Sequence, residues 1–416
     1  MSLMKIVTII IGFSVNLFAF TTPECHQDIS TLLKSAFKSH PSITMASEMI
    51  KGANADLEGT RWNYFPTPSV EVSKGIRSSQ TYSLKQPLWT GGKLDSAYNE
   101  ACARKDQAAA MLIENKFTLT EKVLNSVYDY LEAQGNIDEL EKGKENLLEF
   151  MGMLNRRIDA GISSEMDKEL LESRLLKIDA DILNAKSNQE IAKMQLELFV
   201  GEKLSCDLNI ENLELKDIDN FQLNLDNMLA TNPILKELET QINIASTQVE
   251  KAKSLMWPTL SVSAEHTQGS VYYASSLEEN LVYFSVNAST GAGLSALSKI
   301  ESAESKVAQA RLEKLITQKE LMDNFNKDYN QFRQIQSRLA SLESTVESTQ
   351  KVLDSYKRLF LISKKQWLDL VNTSRELMQV KMEYVTQQVQ YKILGYKVAL
   401  QIGKIDFKDG KIIDDL

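Results

Sequence analysis

The chain has 416 residues, 43% of them hydrophobic, with only 7 prolines and 17 glycines to interrupt regular structure, a composition suited to long unbroken helices around a sizeable core. Its 56 acidic against 47 basic side chains give a formal charge of -9, and no basic run offsets it, which excludes nucleic acid as a partner. The histidines His26, His40 and His266 lie far apart and the three cysteines show no zinc-site spacing, so no metal, cofactor or enzyme activity is expected.

Residues 1–19 read as a secretory signal, with Lys5 as the positive start, Ile6 to Phe18 as the apolar core and Ala19 as a small cleavage residue. Cys25 follows Thr22, Pro23 and Glu24, the wrong residues for lipid attachment, so no lipid anchor is expected. Beyond the signal no stretch approaches the roughly 20 consecutive apolar residues of a membrane helix, and any entry into a membrane has to be made by strands.

Residues 20–206 form the first of two units: a helix over 28–64, strands over 68–76 and 80–89, a long helix over 94–160 and a shorter one over 164–199. A linker, 207–225, leads to the second unit, 226–403, with a helix over 226–256, strands over 259–267 and 281–289, a long helix over 294–361 and a shorter one over 365–401. A tail, 404–416, follows. The two units are read as an internal repeat because landmarks recur at a distance of 192 residues before the second hairpin and 202 after it. His40-Pro41 and Phe65-Pro66 return as Asn232-Pro233 and Trp257-Pro258, while Gly161, Asp167 and Gly201 return as Ser363, Asp369 and Gly403. The second unit is longer around Gly269 to Asn280, which is read as a loop insertion between its strands.

In the last strand Val282, Phe284, Val286 and Ala288 alternate with Tyr283, Ser285, Asn287 and Ser289, as expected of a wall between lipid and water. In the second long helix Ile335, Leu339, Leu342, Val346, Thr349, Leu353, Tyr356 and Phe360 keep alternate spacings of 4 and 3, a coiled-coil seam. Leu140, Leu147 and Leu154, with Met151 and Ile158 between, form its counterpart in the first. At about 1.5 Å per residue each long helix reaches roughly 100 Å, and the two shorter helices of a unit, laid end to end, match it. Four strands cannot close a membrane barrel, since the smallest have about eight, so several chains have to pool theirs. Counting alone leaves two, three or four copies open.

The segment Gln86-Pro87-Leu88-Trp89-Thr90-Gly91-Gly92 opening a long helix, and Phe360 to Asn372 with its Ser363 turn and Trp367-Leu368-Asp369-Leu370, resemble the TolC family of outer-membrane efflux proteins. The resemblance covers nearly all of the chain after the signal. It implies a mainly helical fold, a homotrimer with a twelve-stranded barrel in outer-membrane lipid, and a helical tunnel crossing the periplasm. It further implies a periplasmic adaptor protein and an inner-membrane pump, of the RND or ABC type, as partners. In that family acidic side chains just after the helix break narrow the tunnel. Asp369 falls on one such position, Asn372 stands one turn later where the family has a second, and Asp167 holds the corresponding place in the first unit. The turns Ala160-Gly161-Ile162 and Ile362-Ser363-Lys364 fall where an adaptor grips the tips. The family usually has valine and glycine there, and the second turn keeps neither.

Helix lengths place the chain start level with the end of the 164–199 helix, so Cys25 and Cys206 either form a disulfide in an oxidising compartment or stand as two separate thiols. The cargo is open between small molecules and secreted protein. A coiled-coil tether without a pore is the rival reading, though it would have no use for two amphipathic hairpins at equivalent places.

Overall fold

The fold is described from a computed structural model covering residues 28–74, 77–204, 220–271, 274–289, 294–408 and 410–411, with 208, 210 and 213. The expected signal peptide, Cys25 and Cys206 lie outside the described residues. The chain is mostly helical with one small sheet. Its elements run α1 (Ile29–Ser39), α2 (Pro41–Trp62), β1 (Thr67–Ser73), β2 (Arg77–Trp89), α3 (Lys93–Asp159), α4 (Glu165–Val200), α5 (Phe221–Thr231), α6 (Pro233–Ser254), β3 (Thr259–Val271), β4 (Ala274–Asn287), α7 (Ser295–Leu361) and α8 (Trp367–Gln401).

Two expected helices prove to be pairs. A residue preceding proline is pushed out of the helical region, so the helix expected over 28–64 stops at Ser39, and His40 stands extended at φ -70° and ψ 129°. Proline then occupies the first helical position, where its missing N–H costs nothing, and His40 Nδ1 accepts the Ser42 N–H at 3.3 Å as a cap. Asn232 and Pro233 repeat the device, with Asn232 Oδ1 accepting the Ile234 N–H at 2.9 Å. The second break also shows where the linker ends. Asn220 caps α5 by accepting the Leu223 N–H at 3.1 Å, so residues 221–225, expected as linker, are already helical.

The long helices α3 and α7 have 67 residues each, about 100 Å at 1.5 Å per residue. At one end α3 packs against α4 and α8, and α7 against α8; at the other, α6 lies between α3 and α7, and α2 packs on α3. Where α1 meets the end of α4, Ser39 Oγ donates to Val200 O at 2.6 Å, joining two short helices beside one long one. Gly201 makes this junction possible: it stands at φ 78°, and a Cβ there would overlap the Ser39 side chain. The core at this level draws on Leu33 and Phe37 from α1, Leu124 and Val127 from α3, Leu196 from α4 and Ile393 and Leu400 from α8. Nearer the far end a second core joins Leu147, Leu154, Leu171, Leu353, Phe360 and Leu370, so both expected seams face inward.

The sheet is antiparallel throughout in the order β1-β2-β3-β4. Of the segment from Gly269 to Asn280, expected as a loop, residues 269–271 and 274–280 extend the ladder instead, with Gln268 opposite Glu278 and Gly269 opposite Leu277, while Arg77 opposite Val271 lengthens β2 alongside it. Backbone pairing with a neighbouring strand fixed these residues, and their side chains carry no apolar alternation that would announce it. One face is a run of hydroxyls, bonded across the strands as Ser69 to Ser83 at 2.6 Å, Thr81 to Thr267 at 3.2 Å and Ser261 to Ser285 at 2.7 Å. The other carries Val282, Phe284 and Val286, all about 70% exposed.

Candidate functional site

The free end of the helical body is built from two reversals. The chain leaves α3 through Ala160, Gly161 and Ile162, with Gly161 at φ 73°. The Ile162 N–H bonds Arg157 O and the Gly161 N–H bonds Ile158 O, both at 2.8 Å, which satisfies carbonyls that the helix end would otherwise leave bare. It leaves α7 through Ile362, Ser363 and Lys364 in the same way, with Lys364 N–H to Leu359 O at 2.9 Å and Ser363 N–H to Phe360 O at 3.0 Å. Here the left-handed position, φ 59°, is filled by a serine, which bears a steric cost that glycine does not.

Arg157 joins the two reversals. Its Nη1 donates to Phe360 O at 2.9 Å and to Ser363 Oγ at 3.1 Å, and its Nε to Ser163 Oγ at 3.4 Å. The guanidinium also lies 4.7 Å from the centre of the Phe360 ring. One side chain from the first reversal thus holds the main chain and the strained serine of the second. Lys357 adds a parallel link from α7 to α3, bonding Glu149 at 2.7 Å with its ammonium 5.3 Å from the Phe150 ring. Sequence reading missed Arg157; its one visible signal is that it lies in the basic last turn of α3, where cations favour the negative helix end.

Of the expected constriction residues, Asp167 and Asp369 each sit at the start of a helix. Asp167 is the third residue of α4 and accepts the Ser164 N–H at 3.3 Å, while Ser164 Oγ accepts the Asp167 N–H at 3.3 Å, a reciprocal capping box. Asp369 holds the same position in α8, accepting the Gln366 N–H at 3.3 Å. It also pairs with Lys365 at 3.5 Å, and that ammonium lies 4.2 Å from the Tyr356 ring. Desolvation alone would lower the Lys365 ammonium, but the Asp369 carboxylate and Tyr356 outweigh it and hold it above its ordinary value. Both aspartates therefore have a structural duty, and Asp369 has a cation within its own chain to offset its charge. Asn372 is exposed one turn further along α8 and joins neither cap.

Above this end, α4 and α8 flank a groove of about 330 Å³ whose floor is Gly143 and Leu147 of α3. Arg174, Lys177 and Arg375 rim it against the single carboxylate of Asp181, so it is a basic groove, and Asn372 borders it. The reversals themselves present apolar surface: Ile162, Met166, Leu361 and Ile362 are all more than half exposed.

Residues 32–202 and 224–395 match the family described as outer membrane efflux protein. Among relatives, the chain is 23% identical over 347 residues to the alkaline protease secretion protein AprF of Pseudomonas aeruginosa, covering 80% of this chain and 71% of AprF. Among solved structures it is similar to the outer membrane protein VceC of Vibrio cholerae, at 14% identity and TM-score 0.78, covering 90% of this chain and 96% of that one. It is also similar to the CmeC outer membrane channel of Campylobacter jejuni, at 12% identity and TM-score 0.78, covering 93% and 87%. A family match spanning most of both halves, on a fold shared with outer-membrane channels, means that the chain belongs to the outer membrane efflux protein family and is an export duct of the bacterial outer membrane.

Proposed function

We propose that three copies of this chain form a continuous duct, a twelve-stranded barrel in the outer membrane standing on a tunnel of α-helices that crosses the periplasm. The observation that carries this reading is the sheet: four strands with one hydroxyl face, one apolar face and two outer strands, β1 and β4, each pairing on one side only. Such edges in lipid would leave backbone groups without partners at several kcal/mol each, and closing a ring with neighbouring copies removes the cost. The division of the family match into two segments supports an internal repeat, and with it the quasi-sixfold wall that three copies would give.

The helix reversals form the entrance. Asp369, with Asp167 and Asn372 near the same level, lines the constriction, and a threefold ring of carboxylates there favours cations and binds divalent ones. Lys365 weakens that field, so selectivity is moderate. The reversals at Ala160-Gly161-Ile162 and Ile362-Ser363-Lys364 receive a periplasmic adaptor, which connects the duct to an inner-membrane pump. The relative named for alkaline protease secretion favours a secreted protein as cargo and thus a pump of the type I secretion class.

Single-channel recording in a planar bilayer tests the reading. The purified protein is expected to give cation-selective openings blocked from the helical side by divalent cations, and Asp369→Ala to lose most of the block. Openings unchanged in the variant would remove Asp369 from the entrance while keeping the duct. Folded, oligomeric protein that never inserts would leave a coiled-coil tether as the better account.

A further inference from the structure

On β2, β3 and β4 the apolar face of the sheet stops abruptly. Its rows follow from the register: Leu260 opposite Val286, then Val262 opposite Phe284, then Leu84, Ala264 and Val282 side by side on β2, β3 and β4. The next row on the same face is Val70, Tyr82, His266 and Asn280, and the one after it Val72, Gln80, Gln268 and Glu278, so β1 keeps exposed valines where β2, β3 and β4 turn polar. Two consecutive rows that are polar on three of the four strands, on a face that points at lipid, are costly in hydrocarbon. The first of them is internally organised: His266 Nδ1 lies 2.8 Å from Asn280 Oδ1, and the Tyr82 ring packs 6.2 Å from the imidazole. An amide oxygen only accepts, so Nδ1 carries the hydrogen and, in the neutral ring, Nε2 is left as an acceptor for a group outside the protein.

The opposite limit is equally marked. Trp89 and Trp257 meet edge-on at 6.4 Å, and Trp62 and Phe65 at 5.4 Å, all well exposed where the strands join the helices. Aromatic rings in such a band lie at the level of lipid headgroups. Along β2, Trp89 and Tyr82 are seven residues apart, about 23 Å, which at a strand tilt of about 40° is a height of about 18 Å. Membrane barrels usually show an apolar band of about 25 Å.

We propose that Tyr82, His266 and Asn280 lie at the outer-leaflet headgroup level and hydrogen-bond the polar heads of outer-leaflet lipid, so that the lipid-facing belt of this duct is short along β2, β3 and β4. The proposal rests on the barrel reading, and continuity of the row with the apolar face is what commits it to lipid. The rest of the β3–β4 hairpin then stands in the headgroup and aqueous layers rather than in hydrocarbon.

The test is spin-label accessibility on the full chain, with Cys25, Cys102 and Cys206 replaced by serine and one cysteine introduced at Phe284, Val282, Asn280, Glu278 or Ser285. The assembled protein is placed in vesicles of phosphatidylethanolamine and phosphatidylglycerol, and relaxation by oxygen, which concentrates in hydrocarbon, is compared with that by a water-soluble nickel chelate. Labels at 284 and 282 are expected to favour oxygen, those at 280 and 278 to favour nickel by several-fold, and the one at 285 to favour nickel from the lumen. Oxygen-dominated labels at 280 and 278 would overturn the short belt while leaving the barrel in place. A nickel-dominated label at 284 would instead sink the barrel. As a second measurement, His266→Leu should leave unchanged or lower the temperature at which the assembly dissociates in these vesicles, and a rise would place the row in hydrocarbon.

Discussion

Replacing Arg157 with alanine should loosen the second reversal more than the first, although the substitution is made beside the first. The side chain contributes two hydrogen bonds to the far reversal, at 2.9 Å to Phe360 O and 3.1 Å to Ser363 Oγ, and stacks on the Phe360 ring at 4.7 Å. A charged donor bonding a partly exposed acceptor is worth about 1 kcal/mol and an exposed cation–ring contact about 0.5 kcal/mol, for a sum near 2 to 3 kcal/mol. Ser363 meanwhile keeps its left-handed backbone, which costs an L-residue about 1 to 2 kcal/mol, and loses the contact that offsets it. Hydrogen exchange followed by mass spectrometry reads this directly. Amides over 359–366 should exchange about 30-fold or more faster in the variant, since 1.4 kcal/mol corresponds to about a factor of ten, while the bodies of α4 and α8 stay as protected as before. Arg157→Lys, which keeps the charge but not the forked geometry, should fall in between. Equal protection over 359–366 in Arg157→Ala and the native chain would show that the link carries no energy, and the reasoning would fail.

Gly201→Ala should cost about 2 to 3 kcal/mol, from the positive φ and from displacement of Ser39, and should lower the denaturation midpoint accordingly. Burial, with Glu237 second, raises the carboxyl of Glu114; burial also raises Glu121, where Asp328 adds to it and Lys397 opposes it, and burial with Glu132 raises Asp129. A carboxyl whose folded value lies above its unfolded one binds more protons when folded. Stability should therefore rise as the pH falls through the folded values toward the ordinary carboxylate range, and be lost again as the pH rises. Glu114→Gln should flatten part of that slope in a series of melting curves between pH 8 and pH 5. Glu100 behaves oppositely: burial would raise it, but bonds from Lys251 and Arg104 outweigh that and lower it. Its contribution is present above the ordinary carboxylate range and lost as the pH falls through the folded value, so Glu100→Gln should shrink the loss of stability seen in that acid limb.

The long helices were legible because seams such as Leu353 to Phe360 follow a spacing that only a coiled helix uses. The break at Pro41 was missed because proline is acceptable at a helix start, and composition does not say whether a proline opens a helix or lies within one. The far part of the β3–β4 hairpin escaped notice because residues such as Gln268 and Glu278 are polar on the face that is apolar nearer the helices, and only the backbone ladder holds them extended. At the helix reversals, the spacings Ser164 to Asp167 and Gln366 to Asp369 carry a readable capping pattern, whereas the family resemblance implies only a charge in a pore. The link made by Arg157 could not be read from sequence, since Phe360 and Ser363 lie some 200 positions away in the chain.

The sheet also constrains how the protein comes to exist. Its central ladder joins β2, which ends at Trp89, to β3, which starts at Thr259, so about 170 residues separate two neighbouring strands. A newly exported chain therefore holds its first hairpin long before the partner has emerged, with a strand edge waiting to pair with anything available. Pairing across such a separation is slow, because the intervening chain must be ordered first. The helices then serve as the ruler of assembly: only when α3 and α6 have packed side by side do the two hairpins arrive level with each other. For the barrel proposed above, insertion into the membrane would follow helix docking, and mutations that slow docking should show up as aggregation of strands.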